Sequence, residues 1–411
     1  MEKIKVACIG LGCRGESMLT TILKMCDNVD VIGVCDLYED RVQKGVELVE
    51  KYRGHKPFAT LNSDEIMEMK EAEAVLIFTY WESHIDLAIS AMEHGKYVGL
   101  EVGGVYSVND CYRLIEAYNK TKMPCMLLEN CCYGKTELAV LKMAREGILG
   151  EIVHCSGGYH HYLCKEIAGG IQNRHYRLRN YMNRNCENYP THELGPIAKV
   201  LNINRGNRML SLVSVASKAR GMEAYIKEHS EKYPELEDAR FNQGDIVTTI
   251  ITCADGSTIT LTLDTTLPRS YSRGFTVRGT KGAYFEDNDS VFIESPDNTE
   301  EMEFNWKPYW GNGEQYREKY LHPLWKKYGE KAAEAGHDGM DFMVLSAFFE
   351  SIEKKTLPPI DVYDAAAWMC ITTLSEESIA KGGAVVSIPD FTNGKWAMYE
   401  KGESDSEFTL D

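Results

Sequence analysis

The 411-residue sequence lacks two features that define large classes of protein. It has no apolar run of the kind, about 18 residues or more, that spans a membrane, so we expect no membrane span. It has no CxxC pair, so a zinc site built from thiolates has no support. The 13 cysteines are odd in number, and several lie in apolar segments. That usage favours reduced, buried thiols in a cytoplasmic protein.

Positive charge is also in the minority. The sequence contains 45 Lys and Arg residues against 62 Asp and Glu residues, a net charge of −17. Nucleic acids and anionic membranes attract a positive field, so we expect neither as a partner. The sequence enters a strand-like segment at Ile4, and we expect no signal peptide before it.

What the sequence does contain is an alternation of strand and helix signals over its first 130 or so residues. Strand-like apolar segments occupy residues 4–9, 31–35, 74–78, 96–100 and 125–128. A helix is predicted from about residue 16, and another over residues 85–93. Such alternation is typical of a parallel α/β sheet, and we predict a Rossmann dinucleotide-binding domain over residues 1–132.

The pattern changes in residues 133–411. A predicted helix at 136–146 precedes a predicted strand that ends at His160 and His161, whose side chains alternation puts on opposite faces. Thr- and Val-rich segments follow at 245–252, 257–265, 274–277 and 291–294, and helices are predicted at 338–354 and 362–380. These segments predict a C-terminal α+β domain, for substrate binding and oligomerisation, with a large, mainly antiparallel sheet. The fold class is therefore α/β. An arrangement in which the last ~50 residues pack back on the Rossmann domain stays open.

The GLGCRG segment at residues 10–15 has the GxGxxG spacing and lies between a predicted strand and a predicted helix. In that context Gly10 permits a tight turn, Gly12 lets the backbone approach a pyrophosphate, and Gly15 lets helix and strand pack closely. Asp36 ends the second predicted strand, where a carboxylate binds the ribose hydroxyls of NAD. The two residues after Asp36 carry no cation for a 2′-phosphate, so we predict NAD rather than NADP.

Further motifs follow in chain order over nearly the whole sequence. They are WESH at 81–84, EV at 101–102, ENCCYG at 129–134, GGYHH at 157–161, YPTH at 189–192, LGP at 194–196, NRG at 204–206, GMDF at 339–342 and PDFTNG at 389–394. Together with GLGCRG, this series resembles glycoside hydrolase family 109, the NAD-dependent α-N-acetylgalactosaminidase-like branch of the Gfo/Idh/MocA oxidoreductases. Most members of that wider group carry Glu-Lys-Pro where this sequence has Glu101-Val102-Gly103, without the lysine.

The resemblance implies a set of binding residues. Contacts to NAD are implied for Cys13, Arg14, Asp36, Trp81, His84, Glu101, Val102 and Asn130. Positions near the nicotinamide are implied for Arg177, Tyr189 and His192, and contacts to the sugar for Tyr159, Tyr189 and Tyr271.

The resemblance also implies redox-assisted hydrolysis. The sugar C3 is oxidised by NAD⁺, the C2 proton is removed, the aglycone leaves by elimination, water adds, and C3 is reduced again with no net oxidation. Tyr159 and Tyr189 are the candidates for base and acid at C2 and the leaving group. His192 is assigned to the C3 hydroxyl, with His161 and Glu129 in support. The order of these roles stays open.

Several positions depart from the family pattern. The sequence has His161-Tyr162-Leu163-Cys164 where His-Asp-Leu-Arg is usual, Glu193 where Gly is usual, and Asn180 where His is common. These positions belong to the expected sugar pocket, so the sugar, anomer and aglycone stay open. The expected partner is a small carbohydrate or glycoside. Sheet-face pairing in the wider family implies a homodimer or homotetramer.

Other functions stay open at this point. An NAD-dependent sugar or glycoside 3-dehydrogenase would release a keto product, although the missing lysine counts against it. A non-catalytic sensor of NAD or sugar would have little need for acid–base groups. Glu129, His161 and His192 could form a two-histidine, one-carboxylate metal site, but they lack a local ligand spacing and we predict no metal.

Overall fold

The computed structural model describes residues 3–295, 305, 307–399 and 406–410. The chain divides into two units. The first unit comprises Met1–Gly134, Pro323–Ala367 and Glu400–Asp411, and the second comprises Lys135–His322 and Trp368–Tyr399. The division of the sequence at residues 132 and 133 into two domains stays a prediction.

Strands and helices alternate along the described part of the chain. The strands are β1 Ile4–Ile9, β2 Val29–Cys35, β3 Phe58–Thr60, β4 Ala74–Ile77, β5 Tyr97–Leu100, β6 Cys125–Leu127, β7 Ile152–His160, β8 Met209–Ala216, β9 Ile246–Cys253, β10 Thr258–Asp264, β11 Thr276–Gly279, β12 Gly282–Phe285, β13 Ser290–Ile293 and β14 Val386–Ser387. The α-helices are α1 Cys13–Met25, α2 Glu39–Arg53, α3 Ser63–Met67, α4 His84–Glu93, α5 Val108–Thr121, α6 Lys135–Arg145, α7 Cys164–Ala168, α8 Arg177–Asn183, α9 Thr191–Val200, α10 Gly221–Glu228, α11 Gly313–Lys319, α12 Pro323–Ala332, α13 Met340–Lys354 and α14 Val362–Ala380. Short 3₁₀ turns lie at Trp81–Ser83, Asn130–Tyr133, Pro234–Leu236, Lys307–Tyr309, His337–Gly339 and Lys395–Met398.

The first unit is built on a six-stranded sheet in the order β3-β2-β1-β4-β5-β6. Every pairing in it is parallel. This is the strand order of a dinucleotide-binding Rossmann sheet, so that part of the predicted fold class is confirmed. Strand β3 was missed because it has three residues and its Phe58 is exposed, which leaves no buried apolar run to read.

Helix α1 begins at Cys13, three residues before the predicted start. The prediction was late because the N-cap is Gly12, which has no side chain to give a capping signal. Late in the chain, α13 also belongs to the first unit. This helix is buried on nearly every side, and its buried residues include Phe342, Val344 and Phe348. Such burial is expected for a helix that is apolar all round.

The second unit is built on an eight-stranded sheet in the order β13-β12-β11-β7-β10-β9-β8-β14. Strands β7 and β10 pair in parallel, and the other pairings are antiparallel. The prediction of a large, mainly antiparallel sheet is confirmed. Strands β8, β12 and β14 lie outside the predicted strand segments; β14 is two residues long, too short to give a periodic signal.

Alternation in β9 fixes which side of this sheet is buried. Val247, Thr249 and Ile251 are buried, whereas Ile250 is 49% exposed. A period of two is the pattern of a strand with one covered face and one open face. Across the described part of the chain, no helix combines the length and the apolar character needed to cross a membrane.

Candidate active site

The glycine-rich turn of the first unit joins β1 to α1. Gly10 has a φ of +91°, and a Cβ there would lie 2.6 Å from the carbonyl carbon of Phe78. A side chain at Gly15 would overlap the carbonyl oxygen of Gly10. Gly12 caps α1 without a side-chain hydrogen bond, which leaves backbone N–H groups of the first turn available to a phosphate.

Asp36 follows β2 and is buried beside this turn. Its Oδ2 accepts a hydrogen bond from the N–H of Leu11 at 2.6 Å, and its Oδ1 accepts one from the N–H of Tyr38 at 3.1 Å. Arg41 places Nη1 3.8 Å from Oδ2 and its guanidinium 4.9 Å from the centre of the Tyr38 ring. The prediction considered only the two residues after Asp36, and Arg41 lies further along the chain. Its guanidinium is paired with the Asp36 carboxylate.

Trp81 and His84 lie after β4, and both are buried. Nε2 of His84 bonds to the carbonyl oxygen of Thr79 at 3.1 Å, so the proton is on Nε2 and Nδ1 is an acceptor. Burial lowers the pKa of His84 to about 4. Nδ1 is buried and has no partner among the described residues. A buried acceptor without a partner fits a donor group on a ligand, which agrees with a dinucleotide in this unit.

Arg14, in the first turn of α1, joins two carboxylates of the first unit. Its Nε donates to Oε2 of Glu101 at 3.0 Å, while Nη1 and Nη2 donate to the two oxygens of Asp341 at 2.7 and 3.0 Å. Asn130 donates from Nδ2 to Oδ1 of Asp341 at 2.8 Å. Three residues predicted to bind the cofactor therefore belong to one hydrogen-bonded network.

The remaining predicted residues of the first unit have simpler surroundings. Cys13 is exposed, and Val102 is buried. Glu129 is buried, and its Oε1 accepts a hydrogen bond from the N–H of Cys131 at 3.1 Å, so it caps the turn Asn130–Tyr133. The supporting catalytic role of Glu129 stays a prediction.

The second unit brings together four predicted proton-transfer residues, Tyr159, His161, Tyr189 and His192, and the predicted sugar contact Tyr271. We call these five residues the aromatic cluster. The hydroxyl of Tyr159 lies 3.1 Å from Nδ1 of His161. Ring centres lie 4.6 Å apart for Tyr159 and Tyr189, 4.8 Å for Tyr189 and His192, and 5.7 Å for Tyr159 and His192. Tyr271, 52% exposed, contacts the ring of His161 edge-on at 5.2 Å.

Strand β7 and helix α9 position this cluster. Tyr159 ends the buried face of β7, and His161 is two residues further, so both side chains lie on the same side of the strand. A Cβ at Gly157 would lie 2.8 Å from the Cβ of Glu193, so glycine there lets α9 approach β7. Pro190 caps α9, and His192 lies in its first turn.

A buried cation lies against the cluster. The guanidinium carbon of Arg177 is 4.9 Å from the ring centre of Tyr189 and 5.7 Å from that of Tyr159. Nε of Arg177 is 2.8 Å from Oε1 of Glu166, a carboxylate that sequence reasoning missed because nothing in its local sequence indicates it. The positive charge favours any negative charge that develops on either phenol.

Burial shifts the pKa values of two residues in the aromatic cluster, Tyr159 and His161. Burial raises the pKa of Tyr159 to about 12, although the charge of Arg177 opposes that rise. Burial lowers the pKa of His161, and Arg177 lowers it further. At neutral pH, Tyr159 therefore holds its proton and His161 is neutral, so Nδ1 is able to accept the proton of the Tyr159 hydroxyl.

The positions that depart from the family pattern have contacts that differ from one position to the next. Tyr162 packs edge-on against Tyr225 at 6.4 Å, and the thiol of Cys164 donates to the carbonyl oxygen of Thr266. Asn180 donates to the carbonyl oxygen of Tyr176 within α8. Glu193 faces β7, and its charge adds to the burial that raises the pKa of Tyr159.

Two further histidines lie near the ends of elements. His160 faces away from the cluster, and its ring occupies the space beside Gly158 and Gly274. His337 is four residues before Asp341, a spacing that suggests core packing or capping, and it instead bonds through Nδ1 to Oδ2 of Asp341 at 2.8 Å. The network was not predicted, although the sequence holds one signal for it, a lone acidic residue in the apolar start of α13.

Two family models match the chain. "Glycosyl hydrolase 109, C-terminal domain" matches residues 133–398, and "Oxidoreductase family, NAD-binding Rossmann fold" matches residues 4–128. An alpha-N-acetylgalactosaminidase from Tannerella forsythia is 36% identical over 94% of this chain and 86% of its own length. A glycosyl hydrolase family 109 protein from Stenotrophomonas maltophilia is 37% identical over 96% of this chain and 90% of its own length.

Among solved structures, a levoglucosan dehydrogenase in complex with NADH and levoglucosan has a TM-score of 0.68 at 16% identity. It covers 95% of this chain and 100% of that one, and the likeness shows the fold. These comparisons confirm the predicted family and NAD as the cofactor. The roles of individual site residues stay predictions.

Proposed function

This chain belongs to glycosyl hydrolase family 109, and we propose that it hydrolyses glycosides through transient oxidation of the sugar C3, without net oxidation of the substrate. The observation that carries the proposal is the pair formed by the Tyr159 hydroxyl and Nδ1 of His161 at 3.1 Å. We propose an α-N-acetylgalactosaminide as the substrate, because a relative of similar length carries that activity in its name.

The first unit would hold the cofactor. The Gly10 turn and the N-terminus of α1 suit its phosphates, and Asp36 suits a ribose. Arg14 and Glu101 add fixed polar groups. When bound, NAD supplies reversible acceptance of a hydride, which oxidises the sugar C3 and later restores it. The residues of the chain then have to move protons.

We propose that His192 takes the proton of the C3 hydroxyl, since an alcohol does not give up a hydride readily while it keeps that proton. A ketone at C3 acidifies the neighbouring C2–H bond. Tyr159 is the base at C2: its oxygen takes the C2 proton as its own proton passes to Nδ1 of His161.

The electron pair of the broken C2–H bond forms the C1–C2 double bond, and the bond between C1 and the aglycone oxygen breaks. Tyr189 is the acid that gives its proton to that oxygen. Arg177, 4.9 Å from the Tyr189 ring, stabilises the phenolate left behind. Water then adds its hydroxyl to C1 and returns a proton to Tyr189, while C2 regains its proton from Tyr159 and His161. His192 finally returns its proton to the C3 oxygen as C3 regains its hydride.

A panel of chromogenic glycosides, led by the α-N-acetylgalactosaminide, tests the proposal. Aglycone release and the absorbance of reduced nicotinamide are followed together. Aglycone without net reduced nicotinamide is expected. Net accumulation of reduced nicotinamide with a keto sugar would instead identify a dehydrogenase. The absence of both signals across the panel would favour a non-catalytic sensor. Activity should survive EDTA, because the proposed chemistry uses no metal.

Exchange with solvent tests the elimination step separately. Hydrolysis in D₂O should place deuterium at C2 of the released sugar, because a proton taken from C2 equilibrates with water before it returns. Product without deuterium at C2 would contradict the elimination and favour direct displacement at C1 by a carboxylate.

We also propose a homodimer or homotetramer formed through the open face of the eight-stranded sheet. Val215 and Ile250 are 54% and 49% exposed on that face, and β-branched apolar residues on an open sheet favour burial against a second copy. Light scattering should give a multiple of the 46.5 kDa chain mass, and Ile250→Asp should lower it. A cytoplasmic location is our proposal from the 13 free cysteines.

A further inference from the structure

The carboxylate of Asp341 is the centre of the polar network in the first unit. Its side chain has no exposed surface, yet three side chains bond to it, two of them from distant parts of the sequence. Arg14 lies 327 residues away and Asn130 lies 211 residues away. His337 comes from the turn before α13. A buried carboxylate with this many partners is expected to be fixed in position.

Arg14 is fixed from both sides by these contacts. Two parallel hydrogen bonds join its Nη atoms to Asp341, and its Nε bonds to Glu101. Bidentate geometry orients the planar guanidinium as well as pairing its charge. Burial would raise the pKa of Asp341, but the hydrogen bond from His337 and the charge of Arg14 outweigh it and hold that pKa below its usual range. The carboxylate thus stays ionised.

The backbone before α13 is shaped to bring these groups together. His337, Asp338 and Gly339 have φ values of +51°, +51° and +92° in succession. A Cβ at Gly339 would lie 2.7 Å from the Cβ of Ala332, so the turn is also tightly packed. Two non-glycine residues in the left-handed region are costly and persist where the surroundings require them.

We propose that Asp341 is a positioning residue for the cofactor: it holds Arg14 and Asn130 in the orientation in which they contact NAD. The inference rests on the proposed function, since it needs Arg14 and Asn130 to be cofactor contacts. Asp341 itself acts through these side chains, because its carboxylate is fully covered and its two oxygens already accept four hydrogen bonds.

A double-mutant cycle on NAD affinity tests this role. Titration calorimetry with NAD compares the wild-type chain, Arg14→Ala, Asp341→Asn and the double variant. Each single change should weaken NAD binding by roughly ten-fold or more, and the double variant should bind little worse than Arg14→Ala, because coupled residues are not additive. Effects that multiply would overturn the inference.

The matched control is Glu350→Gln. Glu350 lies on the same helix, is buried, pairs with Lys354 and accepts a hydrogen bond from Ser406. Glu350→Gln should lower thermal stability while NAD affinity is kept. Equal losses of NAD affinity in Glu350→Gln and Asp341→Asn would make Asp341 an ordinary structural residue and overturn the inference.

If Asp341→Asn does not fold, His337→Ala takes its place in the cycle, since it leaves Asp341 paired with Arg14. The same lack of additivity with Arg14→Ala is expected, and multiplying effects again overturn the inference. Wild-type chain that does not bind NAD would overturn the proposed function itself. Wild type that binds NAD, together with Arg14→Ala that binds it equally well, would overturn only the positioning role.

Discussion

The two units hold their functional side chains in opposite ways. In the first unit, Arg14 and Asp341 are joined by charge-assisted hydrogen bonds at 2.7 and 3.0 Å. In the second, Tyr159, His161 and Tyr189 meet through one hydrogen bond between neutral groups and through ring contacts. Ionic pairs fix geometry because both partners keep their charge. Neutral phenol and imidazole groups keep protons that can move.

This difference suits the roles that we propose, which are cofactor binding for the ionic network and proton transfer for the aromatic cluster. The shift of the Asp341 pKa below its usual range keeps the proton off that carboxylate. The raised pKa of Tyr159 keeps the proton on the phenol at neutral pH. Changes in the first unit should therefore act on cofactor affinity, and changes in the aromatic cluster on turnover.

The largest expected effect is in the aromatic cluster. Tyr159→Phe keeps the ring but removes the titratable hydroxyl, so aglycone release should fall by about 10²–10⁴-fold. Hydride transfer from C3 should survive, and a single-turnover experiment should show reduced nicotinamide accumulating with a trapped 3-keto glycoside. His192→Ala should stall earlier, before reduced nicotinamide appears.

Tyr181→Phe is the control for this pair, since its hydroxyl is buried and bonds to the hydroxyl of Thr265 at 2.6 Å. It should keep most of the wild-type turnover. Tyr159→Phe at the wild-type rate, or identical stalling of Tyr159→Phe and His192→Ala, would refute the division of roles between them.

The next effect concerns the first unit. Asp36→Ala removes an acceptor for the ribose and for the N–H of Leu11, so NAD affinity should fall roughly 10–100-fold, as for loss of a charged hydrogen bond. Asp30→Ala, in the strand that precedes Asp36 and paired with His55, should leave NAD affinity unchanged. Calorimetry on both variants gives the answer, and equal affinity of Asp36→Ala and wild type would remove Asp36 from the cofactor site.

A smaller effect concerns pH. Because burial and Arg177 lower the pKa of His161, His161 stays neutral into mildly acidic solution, and kcat/KM should fall only below the ordinary histidine range near pH 6.5. The raised pKa of Tyr159, about 12, should keep the alkaline side flat to about pH 10. His161→Gln should alter the acidic fall, because it removes one of the two histidines to which we give proton-transfer roles, whereas His154→Gln, also on β7, should retain it. An acidic limb unchanged in His161→Gln would exclude His161 as the proton acceptor.

The smallest effect concerns stability. Burial raises the pKa of Glu187 to about 8, and the backbone N–H of Tyr189 offsets this only in part. Between the unfolded value near 4.3 and 8, the native state binds a proton that the unfolded state lacks, so the free energy of unfolding falls as pH rises. Glu187→Gln should therefore raise the free energy of unfolding at pH 8 by about 2 kcal/mol more than at pH 6.

Asp245→Asn is the contrasting variant in the same unit. That buried carboxylate accepts hydrogen bonds from the N–H groups of Arg220 and Gly221 and from the hydroxyl of Thr266, so its loss should destabilise. Chemical denaturation at the two pH values measures both. A Glu187→Gln variant that is less stable at pH 8 than wild type would show that this carboxylate is used by the native state.

The nucleotide-binding turn could be predicted from the sequence because its residues lie close together in the chain. Gly10, Gly15 and Asp36 belong to one strand–helix–strand unit, so spacing alone brings them together, and the structure gives Gly10 the positive φ that the motif requires. Strand β3 could not be predicted from the sequence, because a short, exposed edge strand needs no run of apolar residues that a pattern search would detect.

The aromatic cluster came from the resemblance and from alternation along β7. Tyr159 and His161, two residues apart, had to share a face. No local pattern connected Arg177 to Glu166, and none showed how burial would shift the pKa of Tyr159. The contact and the pKa shift both depend on which atoms surround each group, and the spacing of residues in the sequence does not give those surroundings.

The sequence by itself determined the parallel Rossmann sheet and the glycine turn with Asp36, because each follows from residues close together in the chain. It also indicated the family, through motifs that follow one another in order from residue 10 to residue 394. Tertiary structure decided that Asp341 meets Arg14 across 327 residues and that Tyr159 rests protonated against His161. The physical reason is common to both: charge pairing and desolvation act through space over a few ångströms, and only the folded chain brings distant residues within that range.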